Sequence, residues 1–357
     1  MSCCQGASAV CKADKNHGSV FDSIFLETGA VSAAITGYAL HFVSFRRRKI
    51  MSRTVGIVGV GHVGAHCAFS LCTQGICDEM ILVDKNTQKA VSENMDLLDC
   101  LKYLPHRIRI HTGDYGSLKS CDIVVICVGV HHNTGCEDIQ HRSRLQGLQS
   151  KLDLIDSFVP QIVDAGFQGI FIVITNPCDI IAYHIWKISG FDRSRVFATG
   201  TMLDSARFCQ VLSRETGYDH KSMIGYIIGE HGDSEIPVWS HVSLGGKPLF
   251  QLKSGIDKTA VLEEVRKAAW NIADGKGATE FGISTVLSKL VASIFYDEKA
   301  MYPLSTLLEG QYNMNGLFTS VPCIIGKDGI EQTVELDLSD DEFKGFRHSC
   351  EVIKKYC

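Results

Sequence analysis

Residues 55–64, VGIVGVGHVG, constrain the fold more than any other stretch of this chain. An apolar run ends at Gly59, and glycines follow at 61 and 64 as a helical pattern opens over 62–74. Glycines at this spacing are weak evidence alone, because glycine is common. Their setting adds the weight: a strand before, a helix after, and Asp84 lying 20 residues beyond Gly64 at the end of a second apolar run, MILVD. Together these features are the fingerprint of a dinucleotide site. Gly59 permits the tight turn, Gly61 lets the backbone approach a pyrophosphate, and Gly64 lets the helix pack closely on the sheet. The helix start, with His62 and Val63, faces the phosphates and completes the candidate cofactor-binding set. Asp84 would accept hydrogen bonds from ribose hydroxyls and repel a 2′-phosphate, so the expected cofactor is NAD in preference to NADP.

Further continuous apolar runs occur at 122–129 (DIVVICVG) and 169–177 (GIFIVITNP), with a long helical pattern over 143–165 between them. Strands that are apolar throughout and alternate with helices indicate a parallel sheet covered on both faces. Beyond residue 200 the pattern changes. Helical segments are expected over 203–216, 258–274 and 280–298, and residues 321–338 alternate with period two around Asp328-Gly329, as a hairpin does. Ser339 and Glu342 form a capping box ahead of one apolar helical face: Phe343, Phe346, Cys350 and Ile353. The expected fold class is α/β. A Rossmann-type doubly wound parallel sheet spans 53–199, and an α+β substrate domain spans 200–357.

A net charge of -5 gives no general attraction to nucleic acid. The 15 cysteines are scattered and include no C-x-x-C pair, which points to a reduced, cytoplasmic enzyme without a metal site or a disulfide framework. Cys67, Cys72 and Cys77 read as small buried apolar residues. Residues 1–52 stand apart as an N-terminal extension. Thr28 to Phe45 is an uncharged run of 18 residues followed by Arg46-Arg47-Arg48-Lys49, the outline of a membrane anchor. Small polar residues and His41 interrupt that run, and Asp14, Asp22 and Glu27 do not suit a transit peptide. The extension is therefore expected to be disordered or non-native, with an anchor as the alternative.

The candidate chemistry lies in IIGEHGDS, residues 227–234, where a β-like run ends in Glu230, His231 and Asp233. A lone histidine is more often structural than catalytic. The segment TMLDSARF (201–208) changes that balance by placing Asp204 and Arg207 three apart on one helix face. An acid–base histidine needs a carboxylate to fix its tautomer and stabilise its protonated form. A small acid substrate needs an arginine to grip its carboxylate with paired hydrogen bonds.

GVGHVG with Asp84, ITNPCDI, GTMLDSARF and IGEHGDSEIPVWS occur in order from Val55 onward. On these motifs the chain resembles the L-lactate dehydrogenase-type L-2-hydroxyacid dehydrogenases, which include lactate and L-2-hydroxyisocaproate dehydrogenases. The resemblance implies a lactate/malate dehydrogenase-like fold and hydride exchange between nicotinamide C4 and C2 of a 2-oxo acid. It makes His231 the proton donor and acceptor, Asp204 its partner, and Arg207 the substrate-carboxylate ligand. It places Asn176 beside both nicotinamide and the reacting oxygen, and Thr279 at the border of substrate and nicotinamide. Ile283 would pack on the ring. Arg144, with Arg142 as a rival, would polarise the carbonyl from a mobile loop.

Within the resemblance, the loop 129–144 is longer than in ordinary lactate dehydrogenases and closer to the isocaproate type. Glu137 and Asp138 would repel a second substrate carboxylate, and Glu230 is lactate-like, whereas Ala268-Ala269 argues against a large pocket. The expectation is a neutral 2-oxo acid, with medium branched chains favoured. The alternatives are a malate dehydrogenase and a catalytically silent relative acting as a binding protein. Cys209 and Ile224 stand where some relatives bind a sugar bisphosphate, so no such activation is expected. The implied assembly is a homo-oligomer, tetramer or dimer, with small-molecule 2-oxo or 2-hydroxy acids as its partners and no nucleic acid or membrane.

Overall fold

The structure, a computed structural model, describes residues 52–129 and 147–357. Within 52–357, strands β1 (Thr54–Val58), β2 (Glu79–Val83), β3 (Arg109–Thr112), β4 (Ile123–Ile126), β5 (Ile170–Val173) and β6 (Val196–Ala198) pair in parallel in the order β3-β2-β1-β4-β5-β6. β1, β4 and β5 are fully buried and rich in valine and isoleucine, which suits strands covered on both faces. Alternate residues feed two cores. Val55, Ile57, Ile123 and Val125 face one, and Val58, Val124 and Ile126 face the other with Phe158 and Ile162. Gly56 leaves room between them for Leu118, whose Cδ2 would lie 2.4 Å from a Cβ at that position and would have to shift.

The helices follow the apolar periodicity. These are α1 (His62–Gln74), α2 (Thr87–Cys100), α3 (Leu148–Asp164), α4 (Cys178–Ser189), α5 (Met202–Thr216), α6 (Lys258–Lys276), α7 (Phe281–Phe295) and α8 (Asp340–Lys354). Gly75, at φ +65°, ends α1 in the left-handed conformation. The Ser339–Glu342 capping box opens α8, and Phe346, Cys350 and Ile353 are buried along its inner face. The start of the helix expected from 143 lies outside the described residues, as do Arg142, Arg144, Glu137, Asp138 and the extension before Ser52.

The second half adds the short strands β7 (Ile227–Ile228) and β8 (Ile236–Pro237), and then β9 (Ala300–Glu309), β10 (Asn315–Gly326) and β11 (Gly329–Thr333). The last three continue the main sheet, antiparallel, beyond β6, giving nine strands among the described residues. The expected hairpin is the β10–β11 pair, which turns at Lys327-Asp328. Val334 donates to the Pro322 carbonyl, but residues 334–338 run past the end of β11 and are not strand, so the hairpin is shorter than its alternation suggested. The sequence reading placed no strand at β9. Its residues 303–308 are buried on both faces and do not alternate, and Pro303 sits opposite Pro322. No single described helix is long and apolar enough to cross a membrane.

Candidate active site

The order of the parallel strands reverses between β1 and β4, and a cavity of about 420 Å³ opens there, lined in part by Gly59, Gly61, His62, Val63, Asp84 and Asn176. Each glycine has its own steric reason. Gly59 takes φ +91°, and a Cβ there would meet the Cys127 carbonyl oxygen at 2.8 Å. A Cβ on Gly64 would strike the Gly59 oxygen at 1.9 Å, whereas one on Gly61 would meet nothing within 4 Å. Gly61, the glycine with open space around it, lines the cavity together with Gly59. Asp84 accepts from the Val60 amide at 2.9 Å and the Asn86 amide at 2.9 Å, so its carboxylate is held at the mouth of the turn. The residues present therefore fit a dinucleotide with free ribose hydroxyls.

Tyr115, Leu154 and Phe158 also line the cavity, and the first and last stack at 5.4 Å between ring centroids. They come from outside the glycine motif, so no local spacing marks them. Ile283, in the first turn of α7, is partly buried and packs against the larger hydrophobic core.

The second cluster assembles around His231. Its Nδ1 lies 2.5 Å from Asp204 Oδ2, and Arg207 donates to Asp204 Oδ1 at 2.8 Å. Asp204 is 1% exposed, while the His231 and Arg207 side chains keep 13% each. A carboxylate this buried is tolerated because cationic or protonatable groups engage both of its oxygens. Since Nδ1 is turned to Asp204, Nε2 is the nitrogen left to meet a substrate.

Hydroxyls hold this geometry in place. The Thr201 hydroxyl donates to the Ile227 carbonyl at 2.5 Å, and the Ile227 amide donates to Ser205 Oγ at 2.8 Å, tying the start of α5 to β7. Gly229 exchanges amide–carbonyl bonds of 2.9 Å with Ser320 of β10, which anchors the strand end to the main sheet. Gly229 has φ +93°, and a Cβ there would meet Ser349 Oγ at 2.5 Å. Glu230, expected to lean the chemistry toward the lactate type, is used within the turn: its carboxylate accepts from the Ser234 hydroxyl at 2.5 Å, and its amide donates to Ser349 at 2.7 Å.

Asp179 was not singled out from the sequence, although it lies in the quoted ITNPCDI run. It sits in the first turn of α4 and accepts from the His231 amide at 2.9 Å. Burial pushes its carboxyl up to about 6, against the pull of the His231 amide. Because Asn176 borders the cavity and Asp179 holds His231, one short segment joins the two clusters. Thr279 is half-buried in the link between α6 and α7. Cys67, Cys72 and Cys77 are buried, as expected, and burial pushes the Cys77 thiol up to about 12. Cys209 bonds the Gly225 carbonyl and Ile224 is exposed, so neither position supplies charge for a phosphate.

Comparison with known proteins agrees with this reading at both ends. Residues 53–198 match the family model described as lactate/malate dehydrogenase, NAD binding domain, and residues 201–357 match its alpha/beta C-terminal domain. An L-lactate dehydrogenase of Fusobacterium nucleatum subsp. nucleatum is 42% identical over 86% of this chain and 96% of its own length. L-lactate dehydrogenase 3 of Bacillus cereus is 40% identical over 86% and 98%. Among solved structures, the ligand-bound minor L-lactate dehydrogenase of Enterococcus mundtii superposes with a TM-score of 0.80 at 33% identity, covering 86% of this chain and 98% of that one. A lactate dehydrogenase from a Medee basin deep-sea metagenome library gives 0.79 at 34% identity, covering 85% and 98%. The chain thus belongs to the lactate/malate dehydrogenase family of NAD-dependent 2-hydroxyacid dehydrogenases.

Proposed function

We propose that this enzyme reversibly reduces a neutral 2-oxo acid, pyruvate or a medium branched 2-oxo acid, to the L-2-hydroxy acid. The observation that carries the reading is the buried chain His231–Asp204–Arg207, joined through Asp179 to the segment that lines the dinucleotide cavity. When bound, NAD supplies or accepts the hydride. His231 holds the proton that the substrate oxygen takes up in reduction and receives it back in oxidation. Asp204 fixes the imidazole tautomer and balances its positive form. The Arg207 guanidinium grips the substrate carboxylate, and Thr279 borders the same space. Asn176 would stand beside the reacting oxygen and the nicotinamide, and Ile283 would pack on the ring. Arg144, outside the described residues, polarises the carbonyl; an Arg144→Ala enzyme with near-normal turnover would remove that assignment.

Glu137 and Asp138 support a substrate with a single carboxylate, which favours this reading over a malate dehydrogenase. The loop length supports branched acids of the L-2-hydroxyisocaproate type. The test is an NADH absorbance assay comparing kcat/KM for pyruvate, 2-oxoisocaproate, phenylpyruvate and oxaloacetate. The expected order puts the neutral acids above oxaloacetate, and the reverse order overturns the proposal. Turnover with none of the four would favour the silent binding protein. Fructose 1,6-bisphosphate is expected to leave KM unchanged, because Cys209 and Ile224 carry no charge at that position. The enzyme is read as a cytoplasmic homo-oligomer, dimer or tetramer, which light scattering of the purified chain would decide.

A further inference from the structure

Glu280 ends the link that carries Thr279 and immediately precedes α7. Its side chain is 7% exposed, yet three groups that carry or can take a positive charge converge on it. Lys276 Nζ lies 2.6 Å from one oxygen, His62 Nδ1 3.2 Å from the other, and His66 Nε2 3.8 Å away. Lys276 closes α6, while both histidines belong to α1. Phe281 covers the group, with Lys276 Nζ 3.8 Å above its ring and His66 meeting its edge at 5.4 Å. His66 Nδ1 lies 2.7 Å from the His62 carbonyl, a pure acceptor, so Nδ1 carries the proton. In neutral His66 the lone pair of Nε2 therefore faces the Glu280 carboxylate, and protonation turns that repulsion into attraction.

His62 forms the other end of this arrangement. It is the first residue of α1, directly after Gly61; its side chain is 77% exposed, and it lines the dinucleotide cavity. The positive end of the helix dipole disfavours an imidazolium there. Glu280 opposes that effect, and so would the two negative charges of an arriving pyrophosphate. We propose that Glu280 is a positioning residue that ties the glycine loop to the Thr279 segment, and that through His62 it makes cofactor binding stronger when the imidazole is protonated. The proposal deepens the function above and rests on its cofactor and Thr279 assignments. By linkage, a ligand that prefers protonated His62 must bind more weakly as pH rises.

The charged and titratable groups around His62 are Glu280 from the α6–α7 link, Lys276 from the end of α6 and His66 from its own helix, and Asp84, Lys85 and Lys89 line the same cavity. Lys276 holds the Glu280 carboxyl below the usual carboxylate range, so Glu280 stays charged throughout.

The experiment is NADH titration by fluorescence from pH 6 to pH 8.5 on the full chain, for wild type, Glu280→Gln, Glu280→Asp and His62→Gln, with KM and kcat for pyruvate measured alongside. Wild type is expected to lose about fivefold in NADH affinity across the interval, the scale of one partly screened charge pair. His62→Gln is expected to be flat at the weaker, high-pH level. Glu280→Gln should show a shallower slope and a raised pyruvate KM, and Glu280→Asp should restore part of the slope. Wild-type slopes in both His62→Gln and Glu280→Gln would overturn the proposal. Wild type that binds no NADH at any pH would overturn the cofactor assignment first and this proposal with it. If Glu280→Gln does not fold, the largely exposed His62 still gives the decisive slope.

Discussion

The dinucleotide cavity and the His231 cluster are built in opposite ways. The glycine turn, the α1 start and Asp84 fall within one short βαβ stretch, and each residue acts on backbone a few positions away or across one strand pair. The His231 cluster joins residues 27 and 52 positions apart and is anchored to β10 and α8, more than 100 positions away in the case of Ser349. A locally encoded site leaves a motif. A site assembled from distant segments leaves only residue types, and its geometry depends on the packing of the whole molecule.

The largest test of this contrast is His231→Ala. General acid–base catalysis is worth roughly 10²- to 10⁴-fold, so kcat should fall by about 10³-fold while NADH still binds. A fall of less than tenfold would break the assignment of His231 and leave the cofactor cavity untouched.

Asp179 tests whether the two regions are mechanically joined. Its carboxyl is pushed up to about 6 by burial, well above the ordinary carboxylate value. A group raised in this way favours folding when protonated, so its contribution is full below its unfolded value, falls as pH rises through about 6, and is constant above that. The shift corresponds to roughly 3 kcal/mol across that interval. Asp179→Asn removes this dependence, so the Tm of the variant relative to wild type should climb between pH 4 and pH 7. A Tm difference that does not change with pH would show that Asp179 is not the buried titrating group.

Asp84→Asn keeps the shape of the ribose end of the cavity but removes its charge. NADH affinity should drop by roughly tenfold, the scale of one charged hydrogen bond, and discrimination against NADPH should narrow. Unchanged discrimination would mean that selectivity lies elsewhere in the lining. The smallest effect is expected for Ser349→Ala. That hydroxyl accepts from the Glu230 amide at 2.7 Å, and its loss should cost about 1 kcal/mol by urea unfolding. The same variant should also raise pyruvate KM more than NADH Kd, because the turn it supports carries His231.

Much of the fold was legible from the chain alone. Four parallel strands, β1, β2, β4 and β5, announced themselves as apolar runs, five helices by their periodicity, and α8 by its capping box and inner face; the largely exposed β3, the three-residue β6, α2 and α4 were not read. β9 was not legible, because a strand buried on both faces and interrupted by Pro303 has no alternation to read. For the same reason the continuation of the main sheet into the second half stayed hidden: strand pairing is a long-range property, and β9 meets β6 through Ser305 and Ala198. In the candidate site, Asp204 and Arg207 shared a helix turn and could be read together. Asp179 could not, since nothing in its own segment tells that its carboxylate will meet the amide of residue 231.

The sequence by itself determined where the proposed nucleotide site lies, at the end of β1. A turn that only glycine can make, with an acid at the next strand end, is settled by local sterics and charge. The tertiary structure decided how α5, β7 and β10 hold His231 against the buried Asp204 carboxylate, a pairing that the resemblance had implied. It also decided that Glu280 should face His62 across two helices. The physical reason is that the electrostatics of a side chain depend on burial and on neighbours, and both exist only once distant segments have packed.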